Sequence, residues 1–281
     1  MDRLIRGFAF DGQVRLIGIE STDLVQVALN THKLSPVGTA ALGKLLTAGA
    51  IMGSMLKDDE DRLTLIVKGD GPLGNIVVCA NSKATVKGYV QNPMVDVPLN
   101  EDGTLDIGTA VGRNGVLTVT KDIGLKEPQT GSVELKTGTI SDELTDYFLI
   151  SEQIPSVIQL SVSVKKDATV SKACGYLLQL MPGTDPAIID MIVGRISNIR
   201  PICELLKEGF SIEDILKSIS GDEKITVLEE IQPEFLCDCS RERMERAISS
   251  IPVEERKRMI EEDGFIEITC SFCGKSEKFT F

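Results

Sequence analysis

Four of the chain's seven cysteines fall within its last 45 positions, as Cys237 and Cys239 in "CDCS" and Cys270 and Cys273 in "CSFCGK". The spacing reads C-x-C, thirty residues, then C-x-x-C. Two close pairs separated by a folded insert let a chain offer four sulfurs to one tetrahedral cation, and an all-thiolate donor set selects zinc. Cys237, Cys239, Cys270 and Cys273 are therefore the expected ligands of a single zinc ion. Two other chemistries use the same residues. One is a reduced thiol cluster without metal. The other is a thiol-disulfide oxidoreductase working through Cys270 and Cys273. A C-x-x-C of the thioredoxin type, however, opens a helix within a βαβ unit, and only eight residues follow Cys273.

The elements that must position these sulfurs are legible around them. "CSFCGK" has the form of a zinc knuckle, with Gly274 as turn residue between "FIEIT" and "EKFTF", which are expected to pair as a hairpin. The insert supplies an amphipathic helix with Ser240 as N-cap and Met244, Ala247, Ile248 and Ile251 on one stripe. Pro252 to Asp263 is expected to form a second helix, stopped by Gly264. A module of about 45 residues is too small to be held by its own core, so the metal is expected to be part of its fold. An oxidant that removes one thiolate then removes a ligand, and the module unfolds.

The preceding segment, residues 183–234, reads as an acidic helical linker. "TDPAIIDMIVGRISNI" has Thr184 or Asp185 as N-cap and Ile189, Ile192, Ile196 and Ile199 at helical spacing. Short helices follow around Leu205 and Leu206 and from Ser211, the latter with Ile212, Ile215, Leu216 and Ile219 on one face. Pro201 to Glu234 holds nine acidic and three basic residues. Helices this short need a seat for their apolar faces, so the segment is expected to be docked with a low free energy of opening.

Residues 1–182 are expected to be one α+β domain with a mainly antiparallel sheet. Pro36 to Leu56 is a weakly polar stretch interrupted by Lys44, and the run after that lysine, about a dozen residues, is too short to span a bilayer, so the stretch reads as a buried helix. Gly49 and Gly53 on one of its faces let a neighbouring backbone come close. Strand-like segments begin at Leu63, Asn75, Ala84, Gly115 and Gly131, a helix at Ser141, and two further strands reach Pro182. The terminal module, residues 235–281, completes the division.

Other chemical motifs resolve into structure. "GDGPLG", Gly69 to Gly74, matches a dinucleotide fingerprint, but Pro72 lies inside it and β-branched "NIVVCA" follows where a helix is required, so a hairpin turn is expected. "GTAALGKL" has Leu45 where a Walker A loop needs Ser or Thr. No nucleotide is therefore expected. His32 is the only histidine, without a G-x-S-x-G elbow, and reads as a surface or capping residue. Cys79 and Cys174 in strands and Cys203 on a short helix read as buried inert thiols.

A net charge of −12 and a pI near 4.7 argue against a phosphate-backbone partner. Residues 237–281 carry eight basic and ten acidic side chains, which disfavours a nucleic-acid-binding zinc ribbon. The start "MDRLIRGFAFDGQ" lacks the apolar run of a secretory signal, so neither export nor a membrane is expected, and the cytoplasm is the expected compartment. Thiols are kept reduced there, which favours metal binding over a disulfide framework.

The two cysteine pairs, together with "GTAVGRNGVLTVTKD", "YFLISEQIPS" and "LLQLMPGTD", resemble the 33 kDa chaperonin family over essentially the whole chain. The resemblance implies an ATP-independent holdase of the heat shock response, with no enzymatic activity, that is zinc-bound and inactive when reduced. Oxidative stress with partial unfolding activates it, after which it dimerises and holds unfolding client proteins. The resemblance further implies that oxidation pairs Cys237 with Cys239 and Cys270 with Cys273.

Overall fold

The computed structural model describes residues 1–280, and the chain divides into two compact units, Met1–Phe235 and Leu236–Phe281. The first unit is α+β, as the segment pattern anticipates. One sheet has strands β1 (Arg3–Ala9), β2 (Val14–Glu20), β8 (Ser156–Val164), β9 (Val170–Leu180) and β10 (Thr226–Ile231), in the order β10-β1-β2-β9-β8. The other has β3 (Arg62–Gly69), β4 (Asn75–Asn81), β5 (Thr85–Val90), β6 (Gly115–Asp122), β7 (Gln129–Glu134) and β11 (Glu234–Phe235), in the order β11-β5-β4-β3-β6-β7. Pairing is antiparallel throughout except between β11 and β5.

Between the sheets runs α2 (Pro36–Gly53), next to α1 (Thr22–His32), with α3 (Ile107–Val111) and α4 (Ser141–Ile150) at their margins. Ser35 caps α2 by accepting from the Gly38 N–H, with Pro36 in the first turn. Every α2 residue but Pro36 and Lys44 is buried, because strands from both sheets pack on it. A side chain at Gly53 would meet the Asn81 carbonyl at 2.6 Å, so the close backbone approach expected there is present. No helix among the described residues is long and apolar enough to cross a membrane.

The two nucleotide-like motifs prove to be scaffold. "GDGPLG" is the turn between β3 and β4, and a Cβ at Gly69 would lie 1.9 Å from the Val111 carbonyl oxygen. Lys44 of "GTAALGKL" lies within α2 and donates to the Thr139 carbonyl at 3.2 Å. His32 ends α1, its Nε2 2.9 Å from the Gly88 carbonyl oxygen and its ring edge-on to Phe235.

The acidic segment contributes α5 (Pro186–Ile196), α6 (Ile202–Lys207) and α7 (Ile212–Ser220), capped by Asp185 and Ser211 as their sequences suggest. It is not wholly helical, however: β10 adds to the edge of β1, which corrects the helical description. Two cross-strand ion pairs favour that register, Arg3 with Glu230 at 2.8 Å and Arg6 with Glu229 at 3.3 Å.

The β10-β1-β2-β9-β8 sheet is apolar on both faces, which explains why it needs two covers. Leu4, Ile17, Ile19, Ala173 and Leu177 face the core around α2. Ile5, Leu16, Cys174, Tyr176 and Leu178 face Ile192, Ile202, Leu206, Ile212, Ile215 and Ile219 of α5 to α7. The second cover fits closely at Gly18, where a Cβ would come within 2.7 Å of Ile212.

One group in this second cluster is badly accommodated. Tyr176 is fully buried, its hydroxyl finds no hydrogen-bond partner among the described residues, and burial pushes its pKa up to about 12. A buried donor without a partner costs about 1–3 kcal/mol. Tyr176→Phe is therefore expected to stabilise the first unit by about 1 kcal/mol or more, raising its denaturation midpoint at unchanged m-value. A lower midpoint would show that the hydroxyl is satisfied.

Candidate metal centre

The second unit contains α8 (Arg241–Ser249), α9 (Val253–Asp263) and a hairpin of β12 (Ile266–Thr269) with β13 (Ser276–Phe279). Ser240 caps α8 by accepting from the Arg243 N–H, and Gly264 ends α9 in the left-handed region at φ 78°. Its core is small: Met244, Ile248, Ile266 and Phe279 are buried, with Met259, Ile260 and Ile268 packed against them.

Each cysteine pair is held by local structure. In the C-x-C segment, Arg243 reaches back to the Asp238 carboxylate at 2.5 Å and to its carbonyl at 3.2 Å, tying the segment to the first turn of α8. In the knuckle, Gly274 donates to the Cys270 carbonyl at 2.8 Å, and the Cys270 N–H donates to the Lys275 carbonyl at 2.9 Å. Gly274 adopts φ 71°, the left-handed turn that glycine accepts without strain. Arg241 braces the hairpin from α8, paired with Glu277 at 2.8 Å and stacked 4.4 Å over the Phe279 ring.

The fold thus brings together all four cysteines that the spacing singles out. Their Sγ atoms lie within 4.8 Å of one another, close enough to hold a metal. Sulfurs of different motifs approach closely, Cys237 to Cys270 at 3.7 Å and Cys239 to Cys273 at 3.4 Å. Four thiolates about 2.3 Å from a tetrahedral ion would stand about 3.8 Å apart, so the geometry and the donor chemistry both fit such an ion. Burial and neighbouring thiols hold Cys237 and Cys239 above the ordinary thiol range. At Cys270 burial is outweighed by the backbone N–H groups of Phe272 and Cys273 and by thiols donated from Cys237 and Cys273, which lower its pKa. Four such sulfurs cannot all ionise side by side without a cation to offset their repulsion.

Of the remaining cysteines, Cys174 and Cys203 are buried as the sequence reading expects and Cys79 departs from it. Cys79 is only half-buried, its sulfur 3.7 Å from the Thr64 hydroxyl. Cys174 and Cys203 are buried, but they are not isolated thiols: their sulfurs are 3.2 Å apart. No motif links positions 29 residues apart on a strand and a helix, so only the docking of α6 onto β9 reveals the pair.

Comparison with known proteins settles the family. The profile described as "Hsp33 protein" matches residues 2–280. This chain belongs to the Hsp33 family. The chain is 45% identical to the 33 kDa chaperonin of Clostridium tetani over 280 residues, covering 100% of this chain and 95% of the relative. It is 46% identical to that of Caldanaerobacter subterraneus over 274 residues, covering 98% and 93%. The crystal structure of the 33 kDa chaperonin (heat shock protein 33 homolog) from Thermotoga maritima superposes with a TM-score of 0.92 at 35% identity, covering 99% of this chain and 94% of that one. Hsp33 relatives are named as chaperonins, and the oxidoreductase reading through Cys270 and Cys273 gains no support from them.

Proposed function

We propose that this Hsp33-family chaperone is an ATP-independent holdase of the cytoplasm whose client binding is switched by oxidation of a zinc centre. The observation that carries the reading is the gathering of Cys237, Cys239, Cys270 and Cys273 within 4.8 Å. Bound there, one zinc ion would stabilise the thiolate forms and hold the two motifs together. Residues 235–281 are then the sensor, residues 183–234 the transducer and residues 1–182 the client-binding core.

Oxidation converts this arrangement into another. A thiolate attacks a peroxide, its sulfur takes the oxygen, and a neighbouring thiol displaces water to form the disulfide. Each disulfide releases two electrons and two protons, and one hydrogen peroxide becomes two waters. By family resemblance the products are Cys237–Cys239 and Cys270–Cys273. A cysteine held in a disulfide no longer offers a thiolate, so each pairing within a motif removes two zinc ligands and opposes the metal-bound arrangement. Detachment of the acidic segment would bare Ile5, Leu16, Tyr176 and Leu178, an apolar face suited to unfolding clients. Two such molecules, each with a bared face, would associate as the active homodimer.

Bound zinc, far-UV circular dichroism and suppression of client aggregation, measured before and after peroxide at ambient and raised temperature, test the reading. The expected result is release of about one zinc per chain, loss of helix signal and a gain in suppression. Activity appearing while zinc stays bound, or zinc leaving without any gain, would overturn it.

A further inference from the structure

The pair Cys174 and Cys203 lies outside the four-cysteine centre and has a chemistry of its own. Cys174 sits in the middle of β9, flanked in register by Glu20 of β2 and Ser161 of β8. Cys203 lies in the first turn of α6, its sulfur 3.5 Å from the Lys172 carbonyl oxygen. The 3.2 Å between the sulfurs is below ordinary sulfur-sulfur contact, and a bond of about 2.05 Å needs an approach of only about 1.2 Å. The two thiols are also unlike. A hydrogen bond donated by Cys174 lowers the Cys203 pKa to about 7 against the effect of burial, helped by Ser161 and by the charges of Lys207 and Lys172. The same contact, with burial, raises Cys174. At 3.2 Å whichever sulfur is oxidised first has the other within reach as its resolving thiol, and the lowered Cys203 pKa favours Cys203 as the first to attack.

We propose that Cys174 and Cys203 form a second thiol-disulfide site, oxidised by peroxides, that latches α6 of the acidic segment to β9. The Cys203 thiolate attacks a peroxide oxygen; the S–O bond forms, the O–O bond breaks, and the released hydroxide takes a proton to leave as water. Cys174 then attacks the Cys203 sulfur; the S–S bond forms, the S–O bond breaks, and the oxygen leaves as water with the Cys174 proton. The thiols lose two electrons and two protons, and hydrogen peroxide becomes two waters.

Burial sets the timing. Cys174 is 0% and Cys203 4% exposed, so a peroxide reaches them when the segment breathes, after the more exposed four-cysteine centre has reacted. The bond closes a loop of about 30 residues and makes detachment of α6 rarer by roughly several hundredfold on chain-entropy grounds. Its regulatory meaning rests on the reading that residues 183–234 open to admit clients: the latch then limits how far or how long prolonged oxidation keeps them open.

The test uses the full-length, reduced, zinc-loaded protein, treated with hydrogen peroxide and sampled over time. Free thiols are alkylated, the protein is digested with trypsin without reduction, and bound zinc is measured in the same samples. The expected product is Ala173–Arg195 joined to Ile196–Lys207, two hydrogens lighter than the sum, appearing after zinc release. Amides of residues 202–207 should then exchange roughly several hundredfold more slowly than in oxidised Cys174→Ala or Cys203→Ala. Zinc released with both thiols still alkylated, either cysteine joined to a different partner, or a cross-link that leaves amide exchange unchanged would overturn the latch. Zinc retained throughout would instead overturn the switch, whatever the peptide map shows.

Discussion

Chelating the metal from the reduced protein is expected to unfold Leu236–Phe281 and leave the sheet and helix core of residues 1–182 folded. The second unit buries Met244, Ile248, Ile266 and Phe279, worth about 1.5–3 kcal/mol each when fully removed from water. That is far too little to order a segment of this length, at about 1–2 kcal/mol per residue for the backbone alone. Structural zinc supplies about 10–16 kcal/mol at neutral pH in comparable modules, so its loss exceeds the stability of the unit. Cys270→Ser should reproduce the effect by removing one donor together with the sulfur around which the knuckle turns. Amide exchange resolved by segment is the deciding measurement: protection should vanish across residues 241–279 and persist in β9 and α2. Protection surviving in α8 after complete chelation would show that packing, not metal, holds the unit.

A second large effect is expected at Glu143, on α4. The side chain is 1% exposed, yet its carboxylate accepts five hydrogen bonds. Four converge on Oε1, from the Lys136, Thr137 and Gly138 N–H groups and the Thr137 hydroxyl, at 2.8–3.1 Å. The Ile140 N–H donates to Oε2 at 2.8 Å. Ile140 itself has φ 74°, a costly conformation for a β-branched residue that these bonds hold in place. Glu143→Ala leaves these donors without a partner and should destabilise the first unit by about 3–5 kcal/mol. Glu143→Gln keeps the shape but turns a donor toward donors, and should recover only part of that.

The pH dependence has a definite sign. Burial raises the Glu143 pKa, but the backbone hydrogen bonds from Thr137, Gly138 and Lys136 outweigh it and leave the folded value below the usual 4.5. The stabilisation is therefore full above the unfolded pKa and lost as pH falls through the lower folded value. The stability difference between wild type and Glu143→Ala, followed by urea denaturation, should shrink below about pH 4.5. A difference unchanged down to about pH 3 would mean that the charged form is not what the loop binds.

What the sequence discloses follows the range of the interactions involved. The zinc-type cluster is legible because each half is local: Cys237 and Cys239, or Cys270, Cys273 and Gly274, state their geometry within a few residues. The caps at Ser35, Ser211 and Ser240 are local for the same reason. By contrast β10 is hidden within the segment read as an acidic helical linker, since "TVLEEI" is almost wholly exposed and becomes a strand only opposite Arg3 and Arg6. The Cys174 and Cys203 pair is equally hidden, because a helix must first dock before the two thiols meet. Glu143 is named by no motif, because Ile140 stands where a capping box needs Ser or Thr, and the loop N–H groups that Glu143 accepts are gathered only by the fold.

The pairing of β10 with β1 also bears on how the chain is made. Leu4 has to wait for Ile231, and at about 5–20 residues per second a ribosome needs roughly 10–45 s to deliver the second after the first. Throughout that interval the outer edge of β1 is an unpaired row of backbone donors and acceptors on a nascent chain, open to pairing with other strands. Arg3 and Arg6 stand on that edge as charges that discourage improper partners, and the late arrival of Glu229 and Glu230 neutralises them. The ion pairs that fix the register in the finished protein thus begin as guards against aggregation during its synthesis.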